Sequence, residues 1–179
     1  MADSKLRLFF ALWPDPHTRA AIAELAERVA GETGGRATAS GNIHLTLAFL
    51  GARPRDTVDE LVARARSVEA SPFDLTLDHI DCWRKNGVAW LGASDMPPAL
   101  ATLRKTLLAS LAAMGITDDR RPFAVHVTLA RKVTTLLRYR LPSPVRWPID
   151  NMALVVSETR SEGPVYRVLA RLPFDSPRC

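Results

Sequence analysis

The sequence predicts an α+β protein of two pseudo-symmetric lobes, with antiparallel sheets facing a central cleft and helices outside. A five-residue phrase occurs twice, at residues 44–48 and 126–130, in matching apolar surroundings. Strand-like and helix-like segments follow the order β-α-β-α-β-β-α-β-loop-β-β, so that a strand and a helix precede each copy. The length of 179 residues is enough for one sizeable core. We therefore expect a single bilobal domain over residues 1–179.

The first part of the chain predicts a strand, a helix and a loop. Residues 6–13 form an apolar run that is typical of a buried strand. Asp15 and Pro16 predict the N-cap and the first turn of a helix, and we expect Gly31 to end it. The glycine-rich residues 32–41 predict a flexible loop that leads into the first copy of the phrase.

Two further helices and a hairpin are predicted in the middle of the chain. Pro54 is expected to open a helix that Pro72 ends. Residues 73–80 alternate apolar and polar side chains, which predicts a half-exposed strand paired in a hairpin with residues 88–91. A third segment with apolar residues at helical spacing predicts a helix that ends at Gly115.

The last third of the chain predicts mostly extended structure. Residues 118–121 predict a charged turn into the second copy of the phrase. Residues 132–146 are basic and interrupted by prolines, which predicts an irregular segment, either an RNA-facing loop or a solvated crossover. Residues 147–157 and 166–172 predict a closing strand pair around a turn at residues 162–164.

The repeated phrase contains the residues best suited to chemistry. The two copies read His44-Leu45-Thr46-Leu47-Ala48 and His126-Val127-Thr128-Leu129-Ala130. Strand alternation puts the histidine, threonine and alanine of each copy on one face, and the remaining residues, together with Phe49, on the other. Two such strands facing one cleft would offer two imidazoles and two hydroxyls. That set suits an anionic tetrahedral group, because one imidazole can give a proton, the other can take one, and the hydroxyls can bind oxygens.

A metal site is the other interpretation of paired histidines, and the sequence argues against it. Neither copy has a carboxylate, a cysteine or a second histidine within a few residues. In the stretch from residue 78 to residue 82, alternation places Asp78 and His79 on opposite faces, so that these ligands do not converge. We therefore predict no metal and no other cofactor. His17, in the first turn of the first helix, is interpreted as a solvated residue.

Composition bounds the partners and the compartment. The net charge of +5 suits a polyanion such as RNA, and no apolar run approaches the ~20 residues of a membrane span. The two cysteines, Cys82 and Cys179, make no disulfide framework, which fits a cytoplasmic protein. Trp83 and Trp90 are expected in the core or at its rim, where either could stack on a base.

With these residues in view, the chain resembles the 2H phosphoesterases, the superfamily with paired H-x-T motifs. It is most similar to the bacterial RNA 2′,3′-cyclic phosphodiesterases, also called 2′-5′ RNA ligase-like proteins. The resemblance covers nearly the whole chain and rests on segments that fall in family order, namely residues 7–11, 44–51, 121–123, 126–131 and 163–166. Where that branch often has proline before the second histidine, this chain has Val125, which keeps an extended backbone.

The resemblance implies metal-independent hydrolysis of a ribose 2′,3′-cyclic phosphate to a 2′-phosphomonoester, with possible reversal as 2′-5′ ligation. His44 would be the proton donor to the departing 3′ oxygen and His126 the proton acceptor from water, although the near-identical motifs do not themselves assign these roles. Thr46 and Thr128 would bind the phosphoryl oxygens. Arg131 is a further candidate for phosphate contact, but strict alternation turns it away from the cleft unless the strand ends or twists there.

The expected partners are RNA with 2′,3′-cyclic phosphate ends or nucleoside 2′,3′-cyclic phosphates, acted on by a monomer with a bell-shaped pH profile near neutrality. Two other functions stay open. The first is a non-catalytic RNA-binding module, recognised by salt-sensitive binding without product. The second is a 2H phosphodiesterase that acts on another cyclic phosphate or on a 2′-5′ oligonucleotide. Binding alone does not require imidazoles at both positions, which favours an enzyme.

Overall fold

Two antiparallel sheets form the frame of the structure, a computed structural model that describes residues 5–117, 122–161 and 163–175. The elements in chain order are β1 (Lys5–Leu12), α1 (Pro16–Thr33), β2 (Arg36–Ala37), β3 (Leu45–Pro54), α2 (Val58–Arg66), β4 (Phe73–Trp83), β5 (Val88–Gly92), α3 (Pro98–Leu111), β6 (His126–Arg131), β7 (Tyr139–Ile149), β8 (Asn151–Arg160) and β9 (Gly163–Pro173). Short 3-10 turns occupy Ser40–Asn42, Arg55–Thr57, Arg84–Asn86 and Ala112–Met114.

The two sheets confirm the predicted α+β class, and their strand order shows how the lobes are assembled. The first sheet has the order β3-β1-β8-β9 and the second the order β2-β6-β5-β4-β7. The lobes are therefore not successive halves of the chain, because the first sheet takes strands from both ends. Helix α1 packs against β6 and β7 of the second sheet, whereas α2 and α3 pack together and contact β9 and β3 of the first.

One large apolar core lies between the helices and the backs of both sheets. A second, smaller cluster covers the opposite face of the first sheet, which is the face toward the cleft. It consists of Phe9, Ala11, Trp13, Ala153 and Val155, with Tyr166 and Val168 packed against it. The first sheet is thus apolar on both faces, and its inner face offers an aromatic surface to the cleft.

The helix signals predict the start of α1 correctly and its end incorrectly. Asp15 caps the helix by accepting hydrogen bonds from the backbone N–H groups of His17 and Thr18 at 2.9 and 3.0 Å. The prediction that Gly31 ends the helix is wrong. Gly31 lies at an exposed helical position with open space around it, and α1 continues to Gly34, whose φ of 66° is the left-handed conformation that ends helices.

The boundaries of the other elements agree in part with prediction. The hairpin of β4 and β5 and the end of the third helical segment at Gly115 are confirmed. Pro54 does not open the second helix, because it is the last residue of β3 and a 3-10 turn separates it from α2. The expected loop at residues 32–41 contains β2, which pairs with the end of β6.

The largest error concerns residues 132–146, which were predicted to be irregular. Residues 139–149 form β7, which pairs with β4, and Trp147 belongs to this strand rather than to β8. Pro142, Pro144 and Pro148 are tolerated because β7 lies at the edge of its sheet, where one side of the strand needs no ladder partner.

A few expectations lie outside the described residues, namely the charged turn at residues 118–121, Glu162 of the closing turn, and Cys179. Within the described ranges, no helix combines the length and the apolar character needed to cross a bilayer.

Candidate active site

Each repeated phrase contains a β-bulge at its fourth residue, Leu47 in the first copy and Leu129 in the second. This bulge determines which side chains reach the cleft. In the first sheet, Phe10 pairs with Ala48 and Ala11 pairs with Thr46, so that Leu47 has no partner on β1. In the second sheet, Ala89 pairs with Ala130 and Trp90 with Thr128, so that Leu129 has no partner on β5. An extra residue of this kind shifts the alternation of a strand by one position.

The two bulges correct the sequence-based assignment of faces. Ala48 and Ala130 were expected beside the histidines, but both are buried in the main core next to the bulged leucines. Phe49 was expected on the core side, but it is 71% exposed and faces the cleft. Arg131 also lies on the cleft side, which strict alternation did not allow. The residue that follows each H-x-T-L-A phrase is therefore turned toward the site.

His44 lies directly before β3, and its imidazole is held by a nearby backbone carbonyl and by aromatic rings. Its Nδ1–H donates to the Asn42 carbonyl oxygen at 2.6 Å, and its Nε2 lies 3.0 Å from Thr46 Oγ1. Since a carbonyl oxygen can only accept, the hydrogen bond places a proton on Nδ1 and leaves Nε2 for the cleft. The ring stacks on Trp13, with centroids 5.8 Å apart, and meets the rings of Phe9 and Tyr166.

The side chain of Asn42 joins this arrangement to the end of the chain. Its Nδ2 donates to the Pro164 carbonyl oxygen at 2.7 Å, and its Oδ1 accepts from the Tyr166 backbone N–H at 3.1 Å. One residue therefore supplies the carbonyl that orients His44 and anchors the strand that supplies Tyr166. Asn42 is a positioning residue that the sequence-based interpretation did not identify.

His126 repeats the backbone device with fewer aromatic neighbours. Its Nδ1–H donates to the Ala124 carbonyl oxygen at 2.8 Å, two residues earlier as in the first copy. The imidazole meets the ring of Trp83 edge to face, with centroids 4.7 Å apart. Trp83 in turn packs on Trp90, with ring centroids 5.3 Å apart, so that the indole beside the second imidazole is itself supported by another indole.

Both imidazoles are less basic than a solvated histidine. Burial, with a smaller contribution from the nearby positive charges of His126 and Arg131, lowers the pKa of His44 from 6.5 to about 4, against the raising effect of the Asn42 carbonyl. Burial also lowers the pKa of His126, and Arg131 contributes in the same direction, against the raising effect of the Ala124 carbonyl. Burial thus favours two neutral imidazoles, and an anion between them would favour their protonated forms.

The two histidines, the two threonines and Arg131 line one cleft of about 290 Å³. The structure therefore brings together every residue that the sequence singled out for this site. The same cleft has seven further lining residues, all from the first lobe, and they are Arg7, Leu8, Phe9, Phe49, Gly51, Ser157 and Tyr166. A volume of this size suits a nucleotide-sized ligand that projects partly into solvent.

The residues that the sequence did not identify share a physical reason. Arg7 and Ser157 pair on neighbouring strands β1 and β8, far apart in the chain, so that no local pattern links them. Phe49 could have been found only by anticipating a bulge. Tyr166 lies on β9, where its neighbours on both sides in the sequence are exposed.

The acidic stretch of β4 forms hydrogen bonds that alternation did not predict. The prediction that Asp78 and His79 point apart is wrong, because His79 Nδ1 lies 2.7 Å from Asp78 Oδ1 beside a register shift in β4. Asp81 instead pairs with Arg138. Across the described ranges, no three His, Cys, Asp or Glu side chains gather closely enough to share a metal ion.

Comparison with known proteins gives a consistent result in sequence and in structure. The 2′-5′ RNA ligase superfamily matches residues 11–160. The RNA 2′,3′-cyclic phosphodiesterase of Escherichia coli K12 is 35% identical over 125 residues, which cover 70% of this chain and 71% of that protein. The RNA 2′,3′-cyclic phosphodiesterase of Thermus thermophilus is 30% identical over 185 residues, covering 93% and 89%.

Among solved structures, the Escherichia coli LigT protein complexed with 3′-AMP superimposes with a TM-score of 0.86. The two are 28% identical, and the match covers 96% of this chain and 99% of LigT. The likeness therefore extends over both sheets and includes the cleft between them.

Proposed function

Because the chain belongs to the 2′-5′ RNA ligase superfamily, we propose that it is an RNA 2′,3′-cyclic phosphodiesterase that opens the ring to a 2′-phosphomonoester. The observation that carries this proposal is the meeting of two imidazoles and two threonine hydroxyls in one cleft. The named activity of the curated relatives supports the same reaction. Two imidazoles can carry out both proton transfers, so that the proposed mechanism requires no metal ion.

His126 acts as the base that activates water. Its Nδ1 proton is held by the Ala124 carbonyl, which leaves the Nε2 lone pair directed to the cleft. The lowered pKa keeps this imidazole neutral near neutral pH, the form that a general base needs. Water attacks phosphorus as Nε2 takes its proton, and a new P–O bond forms while the bond from phosphorus to O3′ breaks.

His44 acts as the acid that protonates the departing O3′. It must hold a proton on Nε2 as well as on Nδ1, and burial opposes this charged form in the free protein. The anionic phosphoryl group supplies the missing stabilisation, because a nearby negative charge raises the pKa of an imidazole. His44 is therefore charged mainly when substrate is bound. After the reaction the proton gained by His126 and the proton lost by His44 are exchanged with solvent.

Thr46, Thr128 and Arg131 bind the non-bridging oxygens. The threonines lie on the same faces as the imidazoles, two residues further along each strand. Arg131 reaches the cleft through the bulge at Leu129 and brings a full positive charge. Since negative charge accumulates on these oxygens as water attacks, the guanidinium stabilises the transition state more than the bound substrate.

Phe49 binds the base of the terminal nucleotide by stacking. It is a large aromatic side chain that is 71% exposed at the edge of the cleft. Exposure of so much apolar surface to water is unfavourable unless a partner covers it. A nucleobase is a suitable partner, because a base stacked on an aromatic ring gains ~1–3 kcal/mol. All of these groups come from a single chain, so that a monomer suffices. With a 5′-hydroxyl in place of water, the same site would run the reaction in reverse as 2′-5′ ligation.

The test is to mix the purified protein with a nucleoside 2′,3′-cyclic phosphate in excess EDTA and to identify the product isomer. We expect the 2′-phosphate, and we expect the His44→Ala and His126→Ala variants not to form it. A 3′-phosphate would reverse the leaving group and overturn the assigned roles of the histidines. Activity that EDTA abolishes would overturn the metal-free mechanism. Salt-sensitive RNA binding without any product would favour the binding module instead.

A further inference from the structure

The cleft continues onto the second sheet along a row of paired residues. Trp83 on β4 pairs with Val88 on β5, and Val88 pairs with Arg131 on β6. Residues directly opposite in antiparallel strands share a face, so that Trp83 lies on the same face as Arg131, two strands away. Trp83 also contacts His126 and is only half-buried. An aromatic ring that still meets solvent therefore adjoins the proposed catalytic base.

Most of the excess positive charge of the protein lies around this row. Residues 78–85 and 131–140 carry six cationic side chains and two carboxylates, a net charge of +4 out of +5 for the whole chain. The two carboxylates, Asp78 and Asp81, are already paired with Arg140 and Arg138. These two carboxylates therefore do not neutralise the other cations of the region, which can bind other anions.

Three exposed cations, Arg84, Lys85 and Lys132, make up what we call the basic rim. Arg84 and Lys85 follow Trp83 directly in a 3-10 turn. Lys132 follows Arg131, and the Val133 backbone N–H donates to the Gly87 carbonyl oxygen at 3.1 Å, which brings the two segments together. In the described part of the chain, none of these three side chains forms an ion pair with a carboxylate.

The backbone of Lys132 gives a second, independent observation. Its φ is 57°, and among the described residues it is the one non-glycine residue with a positive φ. This left-handed conformation disfavours a side chain with a Cβ atom by about 1–2 kcal/mol, and asparagine or glycine tolerates it better. A lysine at such a position is difficult to explain by folding, and its charge offers an explanation.

We propose that Trp83 and the basic rim bind the RNA strand on the 5′ side of the reacting nucleotide. Single-stranded RNA is bound without sequence preference by cations that follow its backbone and by aromatic rings that stack on its bases, and both are present here. The position fixes the occupant, because this surface continues directly from the residues that bind the terminal phosphate. This inference rests on the proposed function and extends it from a terminal nucleotide to a polynucleotide substrate.

The test compares two ligands that share the same terminal nucleoside. One is a nucleoside 2′,3′-cyclic phosphate, and the other is an RNA of about ten nucleotides with the same cyclic end, a length within the ~4–16 nucleotides that single-strand sites cover. The variants are Lys132→Asn and the double substitution Arg84→Gln/Lys85→Gln. The matched control is Arg55→Gln/Arg66→Gln, which removes two exposed cations beside α2, away from the second sheet.

We expect combined loss of the basic rim to lower kcat/KM for the oligonucleotide roughly three- to ten-fold and to change that for the mononucleotide by less than about two-fold. The slope of log(kcat/KM) against log[salt] should become shallower by ~0.7 for each phosphate that the variant no longer binds. Lys132→Asn should not lower the melting temperature, because asparagine accepts a positive φ more readily. The control variant should leave both substrates unchanged.

Equilibrium binding separates failure of this inference from failure of the proposed function. Anisotropy of a labelled oligonucleotide that ends in a 2′-phosphate reports binding to the basic rim whether or not turnover occurs. Weaker binding by the rim variants, and not by the control, supports the inference even if no product forms. Equal affinity for the rim variants, the control and the unmodified protein overturns it, as does an equal loss for the mononucleotide.

Discussion

The two H-x-T strands share one backbone device and differ in what surrounds it. In both lobes a carbonyl two residues earlier holds Nδ1 of the histidine, and in both a bulged leucine turns the residue after the phrase into the cleft. In the first lobe that residue is Phe49, and the imidazole is enclosed by three aromatic rings. In the second lobe it is Arg131, and the imidazole contacts a single ring.

This difference indicates a division of labour between two copies of the same strand. The first lobe has an apolar lining suited to a nucleobase and lowers the pKa of its histidine to about 4. The second lobe has a guanidinium suited to phosphate and lowers the pKa of its histidine by burial without an aromatic cage. We infer that the duplicated backbone fixes where the reactive atoms lie, and that the unmatched neighbours determine what each copy binds.

The largest expected effect comes from removing either imidazole. We expect His44→Ala and His126→Ala each to lower kcat/KM at least ~10²-fold, because each removes one of the two proton transfers. The double variant should lose much less than the product of the two effects, since residues that act as a unit are not additive. The assay is turnover of a nucleoside 2′,3′-cyclic phosphate.

His17→Ala is the matched control for that measurement. His17 lies exposed in the first turn of α1 and outside the cleft, so that its loss should leave kcat/KM unchanged. If one catalytic variant kept full activity while the other lost it, the two copies would not form an acid–base pair.

Substitution of the two residues that follow the phrases, Arg131 and Phe49, should affect different kinetic constants. Arg131→Ala should lower kcat by roughly 10²-fold, because it removes a charge that stabilises the transition state. Phe49→Ala should raise KM at least about five-fold, because it removes a stacking surface for the base. The measurement compares a nucleoside 2′,3′-cyclic phosphate with ribose 2′,3′-cyclic phosphate, which has no base.

On the substrate without a base, Phe49→Ala should behave as the unmodified protein does, whereas Arg131→Ala should remain impaired. Phe49→Tyr should retain most of the stacking and serves as the conservative control. An equal defect of Phe49→Ala on both substrates would contradict the assignment of the first lobe to the base.

A smaller effect is expected from Asn42, which corresponds in the second lobe to Ala124, two residues before the histidine. Asn42→Ala removes the hydrogen bonds to Pro164 and Tyr166, so that the ring beside His44 is held less firmly. We expect kcat to fall roughly ten-fold, the lower end of the cost known for removing an outer partner of a metal-bound histidine. The pKa of His44 should rise as water enters, which moves the acid limb of the kcat/KM profile to higher pH.

Ala124→Ser is the control for that variant, because Ala124 contributes only its backbone carbonyl to His126. It should leave kcat and the pH profile unchanged. A loss of melting temperature in Asn42→Ala without any movement of the pH profile would mean that Asn42 serves stability alone.

The smallest expected effect is the placement of the pH profile of kcat/KM. The pair is active only in its singly protonated form, in which His44 holds the proton and His126 is free to take one. Activity should rise as pH climbs through the lower of the two histidine pKa values, about 4, because the doubly protonated pair then loses a proton. It should fall as pH passes the higher value, which burial holds below 6.5, because the pair then loses its remaining proton. The maximum should therefore lie on the acid side of neutrality.

The pH profile of kcat reports the pKa values of the protein with substrate bound, so that it should differ from the kcat/KM profile. Both of its limbs should move to higher pH, because the bound phosphoryl anion favours the protonated imidazoles. A kcat/KM maximum above about pH 7 would contradict the lowered pKa values that burial gives the two imidazoles before substrate binds.

The sequence was sufficient for the residues that the repeated phrase contains and insufficient for their neighbours. Thr46, His126 and Thr128 lie within strands and His44 lies directly before one, so that alternation alone placed each histidine on the same face as its threonine. The bulges defeated the same rule at the next residues, because one extra residue in a strand reverses every side chain beyond it. Arg131 was only a further candidate, because strict alternation turned it away from the cleft.

The partners of His44 show why the rest was out of reach. Phe9, Trp13 and Tyr166 come from β1, from the residue after it and from β9, and these meet only through the order of strands in the first sheet. The clamp formed by Asn42 joins residues more than 120 positions apart. The prolines of β7 likewise signal irregularity locally and are accommodated only because that strand lies at an edge.

The central position of β1 in the first sheet also affects how the protein is made. One edge of β1 pairs with β3, which follows soon after it, and the other pairs with β8, which is synthesised much later. A nascent chain therefore contains both histidine phrases while β1 still has an open edge, the kind of edge that pairs with foreign strands. Tyr166, which packs beside His44, is synthesised later still, so that the cleft can be complete only after β9 has left the ribosome.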